Sequence, residues 1–351
     1  MSLLVSSPLL VFIVASISFL ISYMIIPIFN RFMVATGIIG RDIMKEDKPI
    51  VADMGGPGVI VGFLGGIFLY IGILSLLNSQ TLNGEIPEIE QVLASLCTIL
   101  IITLIGIFDT LTALMKRREG TTSFERYKKV GIPRWLYYFI PLPAAVPLMA
   151  VQAGVHTMSL PFLGNIDLSF YYPLVLVPLA VLCCSNATNF LAGFNGLEAG
   201  MGFILLTSQG LYAYMFAELW AAVIALTFAA SLLAFFRYNW CPASVFPGDL
   251  NYTIGAVAAC VAVVGNMEKF SVLCFTPYII EAVLKLFSRF EAENFGVLQP
   301  DGTLQPRSDK IRGLTHIVMR LGRRKEWEVS MILILFEAAV CIVAFILMPY
   351  I

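Results

Sequence analysis

The sequence predicts an all-α fold, a polytopic transmembrane bundle of about ten helices with its long polar loops on the cytoplasmic side, in one membrane-embedded domain over residues 1–351. Three observations predict it. The chain is 59% hydrophobic and only 13% charged, whereas a soluble domain carries roughly 25% charged residues. Apolar runs recur along it at nearly the length, about 20 residues, that a helix needs to cross a hydrocarbon core of about 30 Å. Basic residues, finally, cluster in alternate loops.

The runs are residues 9–29, 59–77, 92–108, 135–151, 170–183, 201–215, 219–236, 254–265, 270–286 and 329–348, and each reads as one crossing. No basic residue precedes the first run, so it reads as a retained anchor and not as a cleaved leader. With ten crossings, every Lys and Arg except Lys269 lies in or beside a loop that follows an odd-numbered run. The positive-inside rule makes that face cytoplasmic and puts both termini outside. Charge on the other face is acidic: Glu85, Glu88, Glu90, Asp167 and Glu218. The seven Cys lie mostly within apolar runs, without metal-ligand spacing, and read as small core residues. In the last long loop Ile311, Leu314, Ile317, Val318 and Leu321 share one helical face, with Arg312, Arg320, Arg323, Arg324 and Lys325 mostly off it. That pattern suits a helix lying flat on anionic head groups, the alternative being a solvated basic loop.

Ionisable groups at membrane depth are costly and so mark candidate sites. Asp109, Glu281 and Glu337 qualify; Glu337, mid-run and far from any motif, reads as structural. The stretch 185–200 places Asn186, Asn189, Asn195 and Glu198 where a helix leaves the membrane. Asn amides ligate hard cations through oxygen or donate to phosphate through nitrogen. The acceptor patterns for N-glycosylation at Asn186 and Asn251 are discounted because both fall on the cytoplasmic side. Asp249 follows Gly248 at the start of the eighth run. Magnesium binds through one or two carboxylates, phosphates and water, so Asp249 with Asn189, or with Asp109, suffices.

These strings together resemble the polyprenyl-phosphate N-acetylhexosamine-1-phosphate transferases, most closely the eukaryotic and archaeal branch that makes dolichol-linked N-acetylglucosamine diphosphate. Residues 186–200 are similar to that branch's signature, Tyr238-Asn239-Trp240 through Asp249 to its second block, and Gly40-Arg41-Asp42 through Gly56 to a third. The resemblance implies a cytoplasmic active site, Mg2+ (with Mn2+ as the alternative), a UDP-sugar donor and a polyprenyl phosphate acceptor of dolichyl type. It further implies release of UMP in the first membrane step of lipid-linked glycan assembly, as in protein N-glycosylation. Carried over, Asp249 and Asp109 are catalytic: Asp249 is the metal ligand, helped by Asn189, and Asp109 lies beside the acceptor phosphate. Asn195 contacts the diphosphate region and Phe246 lines the uracil site, while Asn186, Gly248, Lys45, Lys48, Asp53 and Lys129 complete the substrate-binding set. The enzyme would sit in the plasma membrane of a prokaryote or the endoplasmic reticulum of a eukaryote, without nucleic acid; a homodimer stays open.

Two departures stand out. Thr110 replaces the second of a usual Asp pair, and residues 288–297 carry Glu291 and Glu293 where the family has a His- and Arg-containing motif. Arg126, Lys128, Lys129 or Arg307 could supply the missing charge. The competing readings are a transporter or lipid flippase, and a catalytically weakened paralogue that binds UDP-sugars. Against a transporter, the polar residues concentrate in loops on one face and not near the midplane of several runs.

Overall fold

The computed structural model describes residues 8–78, 89–118, 138–155, 157–160, 164–248, 250–290, 293–307 and 309–350. Most of it is helix. In chain order come α1 (Pro8–Thr36), the hairpin β1 (Ile39–Arg41) and β2 (Ile50–Ala52), α2 (Gly56–Asn78), α3 (Ile89–Arg118), the short α4 (Val146–Ala150) and the hairpin β3 (Thr157–Leu160) and β4 (Gly164–Asp167). Then follow α5 (Val177–Phe190), α6 (Leu197–Phe216), α7 (Leu219–Asn239), α8 (Leu250–Val264), α9 (Glu268–Cys274) and α10 (Thr276–Phe287). A hairpin of β5 (Gly296–Leu298) and β6 (Leu304–Pro306), α11 (Leu314–Arg320) and α12 (Glu326–Leu347) complete the chain.

The polytopic all-α bundle is thus present, but six of the described helices are long and apolar enough to cross a membrane, seven if one bent pair is a single crossing. Length and hydropathy alone do not reach the expected ten, because the remaining runs are broken, shorter or more polar. Pro141, Pro143 and Pro147 break the fourth run into turns, a 3-10 segment at Leu142–Ala145 and α4, since proline has no N–H to give a helix. The sixth run lies in α6, whose middle carries Thr207, Ser208, Gln209 and Gly210. Helix α8 has 15 residues, all buried, and at 1.5 Å per residue spans only about 22 Å; neighbours cover it where lipid would otherwise have to. The ninth run breaks at Phe275, before Thr276-Pro277, and α9 meets α10 at 63°.

Helix α7 packs against α1, α2, α6 and α8, and α8 also against α3 and α5. Helices α1 and α2 approach closely because Gly58, Gly62 and Gly66 fall four residues apart on one face of α2. A Cβ at Gly62 or Gly66 would collide with the Ser22 or Ser18 hydroxyl of α1, and the Ser22 hydroxyl donates to Gly58 O at 3.2 Å. Backbones meet over small residues in this way where lipid removes the hydrophobic drive between helices. Phe12, Met24 and Ile28 of α1 and Leu335, Ile342 and Ile346 of α12 face outward, an apolar surface suited to a bilayer.

The last long loop differs from the expected surface helix. Only residues 314–320 are helical, and Leu314, Val318 and Met319 turn inward, leaving Ile311 and Leu321 exposed. Of the five residues of the expected face, Leu314 and Val318 are thus covered by protein and only part of that face stays open to head groups. Glu337 is fully buried and accepts from the Cys341 thiol at 3.6 Å.

Candidate active site

Three segments distant in sequence are pinned together at one end of the bundle. The hairpin β1–β2 meets the loop after α7: Phe246 N donates to Ala52 O at 2.8 Å, Gly55 N to Phe246 O at 2.8 Å and Gly56 N to Pro247 O at 3.2 Å. The turn before α6 joins through Gly196 N to Asn239 Oδ1 at 3.0 Å, and the Asn239 amide itself donates to Val245 O at 3.0 Å. Gly196 has φ +79° and its Cα faces the Trp240 ring, which a Cβ would strike; only glycine meets both demands.

Asn195 ties this turn to the hairpin and to α12. Its side-chain amide donates to Asp42 Oδ2 at 2.8 Å, its backbone N–H to Glu326 Oε1 at 2.9 Å, and its carbonyl accepts from the Ser330 hydroxyl at 2.9 Å. Lys45 pairs with Glu326 and lies 3.5 Å from Asp42. Asp42 and Glu326 are both about 95% buried, and each is satisfied by these donors, as buried carboxylates must be. Sequence reasoning missed Glu326. Its signal was an acid at the very start of the last apolar helix, on the end that holds the motifs.

Helix α3 delivers Asp109, half-buried, and Thr110, buried, to the same end. The Thr110 hydroxyl lies 3.3 Å from the position a Cβ on Gly248 would take, and Gly248 has φ +64°. A small cleft there is lined by Met54, Gly56, Gly106, Thr110, Pro247 and Thr253. The Phe246 ring lies over Gly40, with Asp53 beside it, and Asp53 accepts from Met54 N at 2.9 Å. Lys48 stands exposed at the hairpin tip. Asp249 and Lys129, with Arg126, Lys128 and Glu291, lie outside the described residues.

At the end of α5, the Asn186 amide donates to Tyr138 O at 2.9 Å and Leu182 O at 2.8 Å, while its buried Oδ1 has no partner among the described residues. Asn189 Oδ1 accepts from Asn251 at 2.8 Å, leaving its second lone pair. Glu198 accepts from Gly193 N at 2.8 Å. In the departing loop, Glu293 pairs with Arg307 at 2.8 Å, so the Arg307 charge is met locally. Glu281, undecided from sequence, is buried, accepts from Leu314 N at 2.6 Å and faces Lys285 Nζ at 3.6 Å.

Among the described residues no three His, Cys, Asp or Glu side chains gather into a metal cage. The donors present at this end are amide, hydroxyl and carboxylate oxygens, which fit a hard cation held by few protein ligands and by substrate phosphates. Glu198 lies at the mouth of α6, outside the apolar spans; burial pushes its carboxyl up to about 7, against the pull of the Gly193 N–H.

An apolar bundle with its polar groups assembled from loops at one end is the build of a membrane enzyme working at the interface. Residues 92–266 match the family described as glycosyl transferase family 4. A Saccharolobus solfataricus protein, provisionally named as a UDP-N-acetylglucosamine–dolichyl-phosphate N-acetylglucosaminephosphotransferase, is 34% identical over 94% of this chain and 94% of its own. The Saccharomyces cerevisiae UDP-N-acetylglucosamine–dolichyl-phosphate N-acetylglucosaminephosphotransferase is 26% identical over 76% of this chain and 64% of its own. A Streptococcus thermophilus phospho-N-acetylmuramoyl-pentapeptide-transferase is 26% identical over 75% of each chain. The chain belongs to glycosyl transferase family 4, whose members are in general metal-dependent.

Proposed function

We propose that the protein transfers N-acetylglucosamine 1-phosphate from UDP-N-acetylglucosamine to a dolichyl-type polyprenyl phosphate, releasing UMP. The observation that carries this reading is the hydrogen-bonded convergence of the hairpin β1–β2, the turn before α6 and the loop up to Gly248 where α3 delivers Asp109. The names of the similar proteins supply the sugar and the acceptor. The same names do not favour a transporter.

In the proposed reaction an oxygen of the lipid phosphate attacks the donor's β-phosphorus. A new P–O–P link forms, the bond from the β-phosphorus to the bridging oxygen breaks, and UMP leaves with that oxygen. The nucleophile is already an anion, so the chain's task is to align two phosphates and offset their repulsion. Asp109 orients the acceptor from the later turns of α3. Phe246, packed over Gly40 beside Asp53, offers its ring to the uracil, and Lys48 and Lys129 contribute positive charge. Asp249, helped by Asn189, would hold magnesium, which when bound neutralises charge between the phosphates. This end is cytoplasmic in the proposed topology, with both termini outside, following the basic loops. Competing UDP-N-acetylglucosamine with UDP-glucose and UDP-N-acetylgalactosamine in a transfer assay tests the sugar. The first should dominate; preference for a donor without the N-acetyl group would overturn the assignment.

A further inference from the structure

The segment that departs from the family's cation motif holds the signature turn from behind. The side-chain amide of Asn294, buried, donates to Phe190 O at 2.6 Å and to Ala192 O at 3.0 Å. These two carbonyls bracket the C-terminus of α5, directly after Asn189, where the last turn of a helix leaves acceptors without intrahelical donors. The other side of the same amide, Oδ1, receives Lys285 Nζ at 2.5 Å. A cation on Oδ1 fixes which way the amide points, because only the nitrogen can then face the carbonyls. Lys285 is in turn balanced by Glu281, whose second oxygen receives Leu314 N, and the Thr315 hydroxyl donates to Asn294 O at 3.1 Å. Gly313 passes so close to both Glu281 and Asn294 that a side chain there would meet their oxygens near 3 Å.

We infer that Asn294 is a positioning residue for the donor side of the active site, pinning the 190–193 turn between Asn189 and Asn195 while Lys285 and Glu281 fix the orientation of its amide. The loop that elsewhere in the family brings cations thus acts here from behind the turn. Its activity consequences rest on the proposed transfer reaction; its structural claim does not.

The test uses the full-length protein in detergent or proteoliposomes. Asn294→Asp keeps an oxygen for Lys285 but sets a second oxygen against the Phe190 and Ala192 carbonyls. Hydrogen exchange at the Gly193, Asn195 and Gly196 amides should quicken about tenfold, with α7 amides unchanged. The donor KM should rise on the order of tenfold, the acceptor KM staying within twofold, as for a residue supporting a ligand-contacting group. Asn294→Ala, which adds no charge, should give the same pattern and decides the matter should the aspartate variant not fold. Unchanged exchange across residues 193–196, or equal rises in both KM values, would overturn the inference. Absence of any transfer by the unmodified protein would sink the functional reading, and the exchange result would still test the pin.

Discussion

Glu326 shows how much of this site depends on one side chain outside the motifs. Its two oxygens hold Lys45, the Asn195 N–H and, at 3.7 Å, the Cys241 thiol, so it joins α12 to all three converging segments. Glu326→Ala leaves Lys45 and the Asn195 N–H short of a buried partner. Breaking a buried pair costs about 3–5 kcal/mol, and with Lys45 24% exposed a loss on the order of 2 kcal/mol is expected, read by thermal or denaturant unfolding in detergent. Glu198 makes a separate claim through pH. Its folded carboxyl titrates at about 7, above the ordinary 4.5. Between those values the folded protein retains a proton that the unfolded chain has lost. The stabilisation is therefore full below about pH 4.5 and is lost as pH rises through about 7. Glu198→Gln should flatten the fall in melting temperature across that window, and an unaltered slope would remove Glu198 as its source.

At the scale of elements, the α1–α2 seam carries the sharpest expectation. Gly62→Leu drives a branched side chain into Ser22 and the Ser18 carbonyl of α1, and overpacking of this kind costs roughly 1–3 kcal/mol or more. Gly72, on the same helix, has open space where a Cβ would go, so Gly72→Ala should gain up to about 1 kcal/mol from helix propensity. The folded, monodisperse fraction after solubilisation should therefore fall for the first variant and hold or rise for the second. Sequence reasoning passed over this seam, although the sequence carries it as Gly-x-x-x-Gly-x-x-x-Gly from Gly58 to Gly66, because hydropathy alone does not draw the eye to it. Helices α1, α2, α3, α7 and α12 were legible because their apolar runs come close to the length a crossing needs. Helix α8 was read as a run, but its enclosure by protein was not legible, because burial by neighbours leaves the same apolar composition as burial by lipid. The bend at Phe275 was signalled only by Pro277, which a window average hides. The convergence of the motif segments followed from their resemblance to one family; that Asn195 spends its donors on Asp42 and Glu326 needed coordinates.

For the whole molecule, the proposed topology, in which the fourth run crosses, places the hairpin β3–β4 and the hairpin β1–β2 on opposite sides of the membrane; a fourth run that does not cross would put them on the same side. Asp167 and Lys48 are both exposed, so single cysteines at these positions on a background without the seven native Cys report sidedness directly. Position 167 should react with an impermeant maleimide from outside intact cells and position 48 only after permeabilisation; the reverse pattern would invert the orientation. The central claim is the bond that breaks. Donor carrying 32P in its β-phosphate, mixed with dolichyl phosphate, magnesium and membranes containing the protein, follows that bond. The label should pass into the organic phase in step with unlabelled UMP. Label remaining in water as UDP while sugar reaches the lipid, or no transfer to lipid at all, would contradict a sugar-1-phosphate transferase.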